Sequence, residues 1–195
     1  GERTKKISRF FKEQFETFTA EEHTPASFRS QLYNNFRYKG PVLEWYLRVK
    51  LKLENNYESF HELIPENASI IDLGCGYGFL CYMLQFLSAE RTITGVDYDE
   101  EKIAVAHNGY LRSPALKFFH SDVRSFTLER YDVIILSDVL HYLRSADQFD
   151  LLLKCFHALN PGGKIILRDG DVDLEQRHKA TMLSVFFSVR LLKFN

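Results

Sequence analysis

The residues best suited to chemistry lie together in the run Asp72-Leu73-Gly74-Cys75-Gly76-Tyr77-Gly78. Three glycines alternate with other residues directly after an apolar run and an acid. Glycine tolerates positive φ and lets a ligand lie against bare backbone. A helix opening behind it adds unpaired N–H groups. An ordinary strand–turn–helix needs one glycine, so a ligand-binding loop explains three better. The acid narrows the ligand. A helix N-terminus favours anions such as pyrophosphate, whereas Asp72, two residues before the first glycine, suits a cationic ligand. The dinucleotide spacing G-x-G-x-x-G would place its third glycine where Phe79 stands.

A strand and a helix must hold that loop. Ile70 and Ile71 lead into it as a buried strand, and Leu80, Met83, Leu84 and Leu87 follow at i, i+3, i+4 and i+7 as an amphipathic helix. The chain then alternates strand and helix. Residues 91–97 read as a second strand ending on Asp97, followed by a helix from about Asp99 with Glu100 and Glu101 in its first turn. Residues 116–120 are a third strand closed by Ser121 and Asp122. Residues 131–137 are a fourth, with Asp138 just beyond. Ser145-Ala146-Asp147-Gln148 reads as a capping box, opening a helix that turns Phe149, Leu152, Leu153 and Phe156 to the core. Asn160-Pro161-Gly162-Gly163 ends it, and residues 164–167 are a fifth strand. This is the pattern of an α/β fold, a doubly wound, mostly parallel sheet with helices on both faces. Asp97, Asp122 and Asp138 all fall at strand C-terminal ends, the edge where such sheets bind ligands. Asp97 stands about 20–25 residues after the glycine turn, the interval of a carboxylate that accepts ribose hydroxyls. Turns favour aspartate for local reasons, so the register of all three carries the inference.

The run from Asp72 to Gly78 resembles the first motif of the class I S-adenosylmethionine-dependent methyltransferases. The likeness covers residues 68–169 and includes Ser137-Asp138-Val139-Leu140-His141-Tyr142 and the turn Leu159-Asn160-Pro161-Gly162-Gly163. It implies strand order 3-2-1-4-5 and a donor, S-adenosylmethionine, that leaves as S-adenosylhomocysteine. It implies that Asp72, Gly74, Gly76 and Gly78 meet the methionine part, Asp97 the ribose, and Asp122 with Val123 the adenine. Cys75, Tyr98 and Ser137 complete the implied donor-binding set. The family's sheet ends in an antiparallel hairpin, but nothing after Arg168 reads as two more strands. Met182, Leu183, Val185, Phe186, Phe187, Val189, Leu191 and Leu192 look helical, so the final hairpin is expected to be missing.

Direct methyl transfer needs positioning and exclusion of water, because the donor is already activated. For an oxygen acceptor, His141 is the candidate base, with Asp138 beside it; a histidine that merely lines the pocket is the alternative. Arg168 could orient an anionic acceptor or pair with Asp169 or Asp171. Tyr38 and Lys39 could close over the donor. Two other classes remain: a nicotinamide-dependent oxidoreductase, against which Phe79 counts, and a methyltransferase-like binding module without catalysis of its own.

Composition sets the frame. The 195 residues, 45% of them hydrophobic, can bury one α/β core with a small appendage. Residues 1–66 read as an N-terminal helical cap and 67–195 as the Rossmann-like core. In the cap, Ile7, Phe10, Phe11, Phe15 and Phe18 keep helical spacing. Thr24 and Pro25 open a second helix through about Phe36. Pro41 opens a third, whose Trp45, Tyr46, Leu47, Val49, Leu51 and Leu53 predict a sandwiched position. The first 52 residues hold 11 Lys/Arg against 6 Asp/Glu, and the rest 14 against 20. An anionic partner or solvated helix faces would both produce that asymmetry. An aromatic, basic cap suits a small-molecule or lipid-like acceptor with an apolar body and an acidic group. No compact basic stripe points to nucleic acid. Cys75, Cys81 and Cys155 show no metal-ligand spacing, so no metal site is expected and a reduced, cytoplasmic setting fits. No run approaches the roughly 18 apolar residues of a membrane span. The first residue is Gly1 and not Met, as expected of an excised domain or a processed chain.

Overall fold

A computed structural model describes residues 25–54 and 57–169 and the backbone of 183–187. The helix expected over residues 7–18, the Thr24 cap, Asp171 and most of the apolar tail lie outside the described residues.

Two antiparallel helices begin it, α1 (Pro25–Phe36) and α2 (Pro41–Leu53), followed by the short α3 (Tyr57–Leu63). Gly40, at φ 98, turns the chain, and Pro41 opens α2 where a missing N–H costs nothing. Arg29 Nη1 donates to the Leu51 carbonyl at 3.2 Å, and the Arg48 guanidinium lies 4.0 Å from the Tyr33 ring centre. Phe28, Leu32 and Phe36 of α1 and Leu43, Leu47 and Leu51 of α2 keep i, i+4, i+8 spacing and are buried. They share one core with Ile70, Met83 and Leu84.

The sheet contains β1 (Ser69–Leu73), β2 (Thr92–Asp97), β3 (Leu116–His120), β4 (Tyr131–Ser137) and β5 (Leu159–Asp169), all parallel and in the order β3-β2-β1-β4-β5. The crossovers carry α4 (Phe79–Leu87), α5 (Glu100–His107) and α6 (Ser145–His157). Every residue of α4 from Phe79 to Phe86 is buried, because the cap covers the side that the sheet does not. The opposite face of the sheet, with Leu73, Val96 and Leu136, packs a second cluster against Leu151 and Cys155 of α6. Arg91, fully buried, ties cap to core: its guanidinium donates to the carbonyls of Ile64 (2.6 Å), Leu84 (3.0 Å) and Pro65 (3.1 Å).

Three local expectations give way. Residues 183–187 form a strand, β6 (Leu183–Phe187), antiparallel to β5, where a helical pattern and no further strand were expected. Leu, Val and Phe suit either state, and the open edge of β5 offers unpaired backbone groups to a strand. In α6 the capping box is absent. Arg144 holds the N-cap position without a side-chain capping bond, its guanidinium pairing instead with Asp147, and the Gln148 amide donates to the carbonyls of Leu140 and Leu143. Its buried stripe is Leu151 and Cys155, while Phe149, Leu153 and Phe156 are exposed. Both stripes have helical spacing, so period alone could not choose between them, and the smaller Cys155 is the one set against the sheet. Finally, α2 is not sandwiched, since Val42, Trp45 and Leu53 stand exposed. Among the described residues no helix is long and apolar enough to cross a membrane.

Candidate functional site

At the C-terminal ends of β1, β2, β4 and β5, roofed by α2 and α3, lies a cavity of about 570 Å³. The turn after β1 forms its floor. Gly74, Gly76 and Gly78 all have positive φ, 87°, 55° and 74°. A side chain at Gly74 or Gly78 would strike Val139 or the Phe118 ring, so these two glycines serve close packing. Gly76 differs. A Cβ there would meet nothing nearer than Lys102 Cδ at 4.0 Å, so its backbone faces open space on the cavity wall.

Asp72 ends β1 beneath that floor, only 3% exposed, yet it lines the cavity. Oδ2 accepts from the Cys81 thiol at 3.4 Å, and Oδ1 is buried without a hydrogen-bond partner. Burial pushes the carboxyl up to about 7. An under-satisfied buried carboxylate beside bare backbone fits a ligand that brings a cationic donor.

Asp97 is buried at the end of β2 and already works on the loop. Oδ2 accepts from Gly76 N–H at 2.7 Å and Oδ1 from Asp99 N–H at 2.9 Å. The spare lone pairs of a carboxylate leave room for further donors. Asp122, after β3, forms a two-pronged pair with Arg124, which holds its carboxyl below the usual range. Val123, Tyr98, Cys75 and Ser137 also line the cavity. The structure thus brings together all but one of the sequence-predicted donor residues; Gly78 sits behind the wall as the N-cap of α4.

The acceptor-side expectations fare differently. His141 lies on a 3-10 turn (Leu140–Tyr142), exposed and off the cavity wall. Both its backbone N–H and its Nδ1 engage the Asp169 carboxylate, at 3.0 and 2.5 Å. Asp138 does line the cavity, with a left-handed φ of 56° that only glycine adopts freely. It is held there by Arg168, whose carbonyl accepts from Asp138 N–H at 2.7 Å and whose guanidinium pairs with the Asp138 carboxylate. Arg168 pairs also with Glu54 at the end of α2, 2.8 Å away, a partner the sequence did not suggest beside Asp169 or Asp171. Burial opposes its charge, but Glu54 and Asp138 more than offset that and keep it protonated. Tyr38 and Lys39 do not reach the cavity, and the Tyr38 hydroxyl donates to the Val105 carbonyl at 2.8 Å. Tyr46 and Lys50 of α2 and Tyr57 of α3 form the roof instead. Their one sequence signal was the spacing of Tyr46 and Lys50, one turn apart on one face of α2. Among the described residues no group of three or more His, Cys, Asp or Glu is arranged to hold a metal ion.

Comparison with known proteins follows the same outline. Residues 70–163 match a family model described as a methyltransferase domain. A carboxy-S-adenosyl-L-methionine synthase from Actinobacillus pleuropneumoniae is 28% identical over 111 residues, 54% of this chain and 46% of that protein. One from Campylobacter concisus is 21% identical over 132 residues, 67% of this chain and 56% of that protein. The chain spans about half the length of these curated relatives. Among solved structures, the PH0226 protein from Pyrococcus horikoshii superposes with a TM-score of 0.56 at 23% identity, covering 67% of this chain and 61% of that one. An S-adenosylmethionine-dependent methyltransferase from Mesorhizobium loti gives a TM-score of 0.51 at 23% identity, over 59% and 53%. At these identities the structural likeness establishes the fold.

Proposed function

We propose that the chain, whose residues 70–163 match a model described as a methyltransferase domain and whose fold is that of S-adenosylmethionine-dependent methyltransferases, transfers a methyl group from S-adenosylmethionine, the cofactor this likeness implies, to a small-molecule or lipid-like acceptor, at oxygen. The observation that carries this reading is the buried Oδ1 of Asp72, without a partner at the cavity wall beside Gly76. S-adenosylmethionine, when bound, supplies a methyl group already activated on a sulfonium, together with an ammonium. The chain's residues then divide the work. Asp72 accepts from the ammonium, and the backbone at Gly76 lets the ligand lie close. Asp97 takes the ribose hydroxyls while fixing the loop through Gly76 N–H. Asp122, oriented by Arg124, faces the adenine with Val123. Tyr46 and Tyr57 close the roof, exclude water and meet the apolar body of the acceptor. Lys50 lies beside them, bonded to Glu54 at 2.6 Å, and is the cap's cation nearest an acidic acceptor group.

Titration calorimetry with S-adenosylhomocysteine and with NAD tests the reading. Micromolar or tighter binding of the first and none of the second is expected, and the reverse sinks it. The curated relatives are named for making carboxy-S-adenosyl-L-methionine, so product analysis by mass spectrometry should include that compound.

A second reading, a donor-binding module without catalysis of its own, is favoured by one observation. Neither proton-transfer candidate is free, since His141 is off the wall on Asp169 and Asp138 is tied to Arg168. Turnover that survives His141→Ala would leave the oxygen acceptor to ionise without that imidazole. Donor binding with no product across a broad acceptor panel would select the module.

A further inference from the structure

On the outer side of α2, Val42, Trp45, Val49 and Leu53 follow one another at i, i+3, i+7 and i+11, and so form one stripe along the helix. Val42 is 80% exposed, Trp45 66% and Leu53 74%. Leu43, Leu47 and Leu51 hold the opposite side of the helix in the core, so the stripe stays turned outward. Tyr46 and Lys50, each one position on from a stripe residue, line the cavity, so the stripe borders its roof. A contiguous exposed stripe of large apolar side chains marks an interaction face. The charges around it decide what it meets.

Those charges are basic. Arg48 and Lys52 stand three and seven positions after Trp45, along the edge of the stripe away from the cavity. Arg37 and Lys39, both exposed, lie in the 3-10 turn (Arg37–Lys39) that leads into α2. Residues 25–54 hold six Lys/Arg against two Asp/Glu, and both acids are paired. Glu44 meets Arg48 at 2.7 Å and Arg37 at 3.9 Å, and Glu54 meets Lys50 at 2.6 Å and Arg168 at 2.8 Å. The exposed acids of α3, Glu62 and Glu66, act on His61, beside Arg91. An apolar stripe carrying a tryptophan, edged by cations, is the pattern of a helix lying in the headgroup layer of an anionic membrane. A protein partner fits less well, because protein interfaces are depleted in lysine.

We infer that this face of α2 docks on an anionic bilayer surface, with Val42, Trp45 and Leu53 at the boundary of headgroups and acyl chains and Lys39, Arg48 and Lys52 on lipid phosphates. The amphipathic indole suits that depth, and the long basic stems reach outward past the stripe. Docking lays the roof of the cavity against the lipid, so that an apolar molecule passes beneath Tyr46 without first entering water. That use rests on the proposed lipid-like acceptor, whereas the docking itself does not.

Vesicle sedimentation of the full chain, read together with Trp45 fluorescence, tests this without donor or acceptor, so its failure leaves the methyl-transfer reading standing. Trp45 is the chain's single tryptophan and lies within the stripe. Vesicles of mixed phosphatidylglycerol and phosphatidylcholine should bind the chain and shift its emission to the blue. Lipids brominated on the acyl chain should quench it. Pure phosphatidylcholine should bind at least about tenfold more weakly, and salt at about 0.5 M should weaken the anionic binding by a similar factor. The double substitution Lys39→Glu, Lys52→Glu, at two exposed positions, should also cost at least about tenfold, with circular dichroism unchanged. The salt dependence of the wild-type chain decides the matter if that variant fails to fold. Absence of binding overturns the inference, as does equal binding to both vesicle types or binding that survives the double substitution. So does binding with no change at Trp45, or a Trp45 already shielded before lipid is added, which would mark cover by protein.

Discussion

Replacing Asp72 by asparagine should move stability and donor binding in opposite directions. The carboxyl is buried and pushed up to about 7, whereas an unfolded aspartate titrates at about 3.9. Between those values the folded chain keeps a proton that the unfolded chain has lost. The folded state binds more protons there, so stability falls as pH rises through the window. Roughly 3 pH units at 1.36 kcal/mol each sets a ceiling of about 4 kcal/mol. Asparagine is neutral throughout, though its buried N–H group costs about 1–3 kcal/mol where it finds no partner. Asp72→Asn should therefore gain about 1–3 kcal/mol at about pH 8 and nothing, or a small loss, at about pH 4. Urea unfolding of the ligand-free protein at both pH values measures this. Donor binding should run the other way. Wild-type affinity for S-adenosylhomocysteine should weaken toward tenfold per pH unit below about 7, as Asp72 takes up its proton, while the variant binds weakly with a flat profile. A variant less stable than wild type at about pH 8, or a flat wild-type binding profile, would refute the reasoning.

Asp97→Ala removes the acceptor of Gly76 N–H as well as the proposed ribose contact. Calorimetry should show donor binding weakened by about 1.5–3 kcal/mol, and unchanged affinity in a folded variant removes Asp97 from the site. Gly76→Val places a β-branched residue at φ 55° in otherwise open space. It should abolish S-adenosylhomocysteine binding while the melting temperature drops less than for Leu84→Ala, a cavity mutation costing about 2–5 kcal/mol. Glu54→Gln leaves buried Arg168 with one carboxylate fewer. Chemical unfolding should show a loss of about 1–3 kcal/mol, relieved in the Arg168→Met background, where no buried charge remains to be compensated.

Wherever periodicity and turn chemistry agree, the sequence was enough. β3 and β4 fall on the expected residues, α5 starts next to Asp99 as expected, and the glycine turn has the left-handed backbone its composition demanded. The contacts that shape the far side of the cavity were not legible, because they join residues distant in sequence. Arg168 meets Glu54 and Asp138 across 114 and 30 positions, and no local pattern marks either pairing. The left-handed Asp138 is invisible for a related reason: it depends on a guanidinium supplied by another strand. The exposed face of α2 and the turned face of α6 were missed because hydrophobic spacing identifies a stripe without naming its partner.

Arg91 and Arg168 together give the cap two unlike fastenings. Arg91 grips carbonyl oxygens and the His61 ring at the end of the sheet away from the cavity, where burial leaves little for salt to screen. Arg168 holds Glu54 by charge at the cavity wall, where an anion in the site would compete for it. The first is a pivot and the second a latch. An acidic molecule arriving between Lys50 and Arg168 would therefore loosen the roof at its own point of entry and leave the helices hinged on Arg91, so that admission and release become properties of one ion pair.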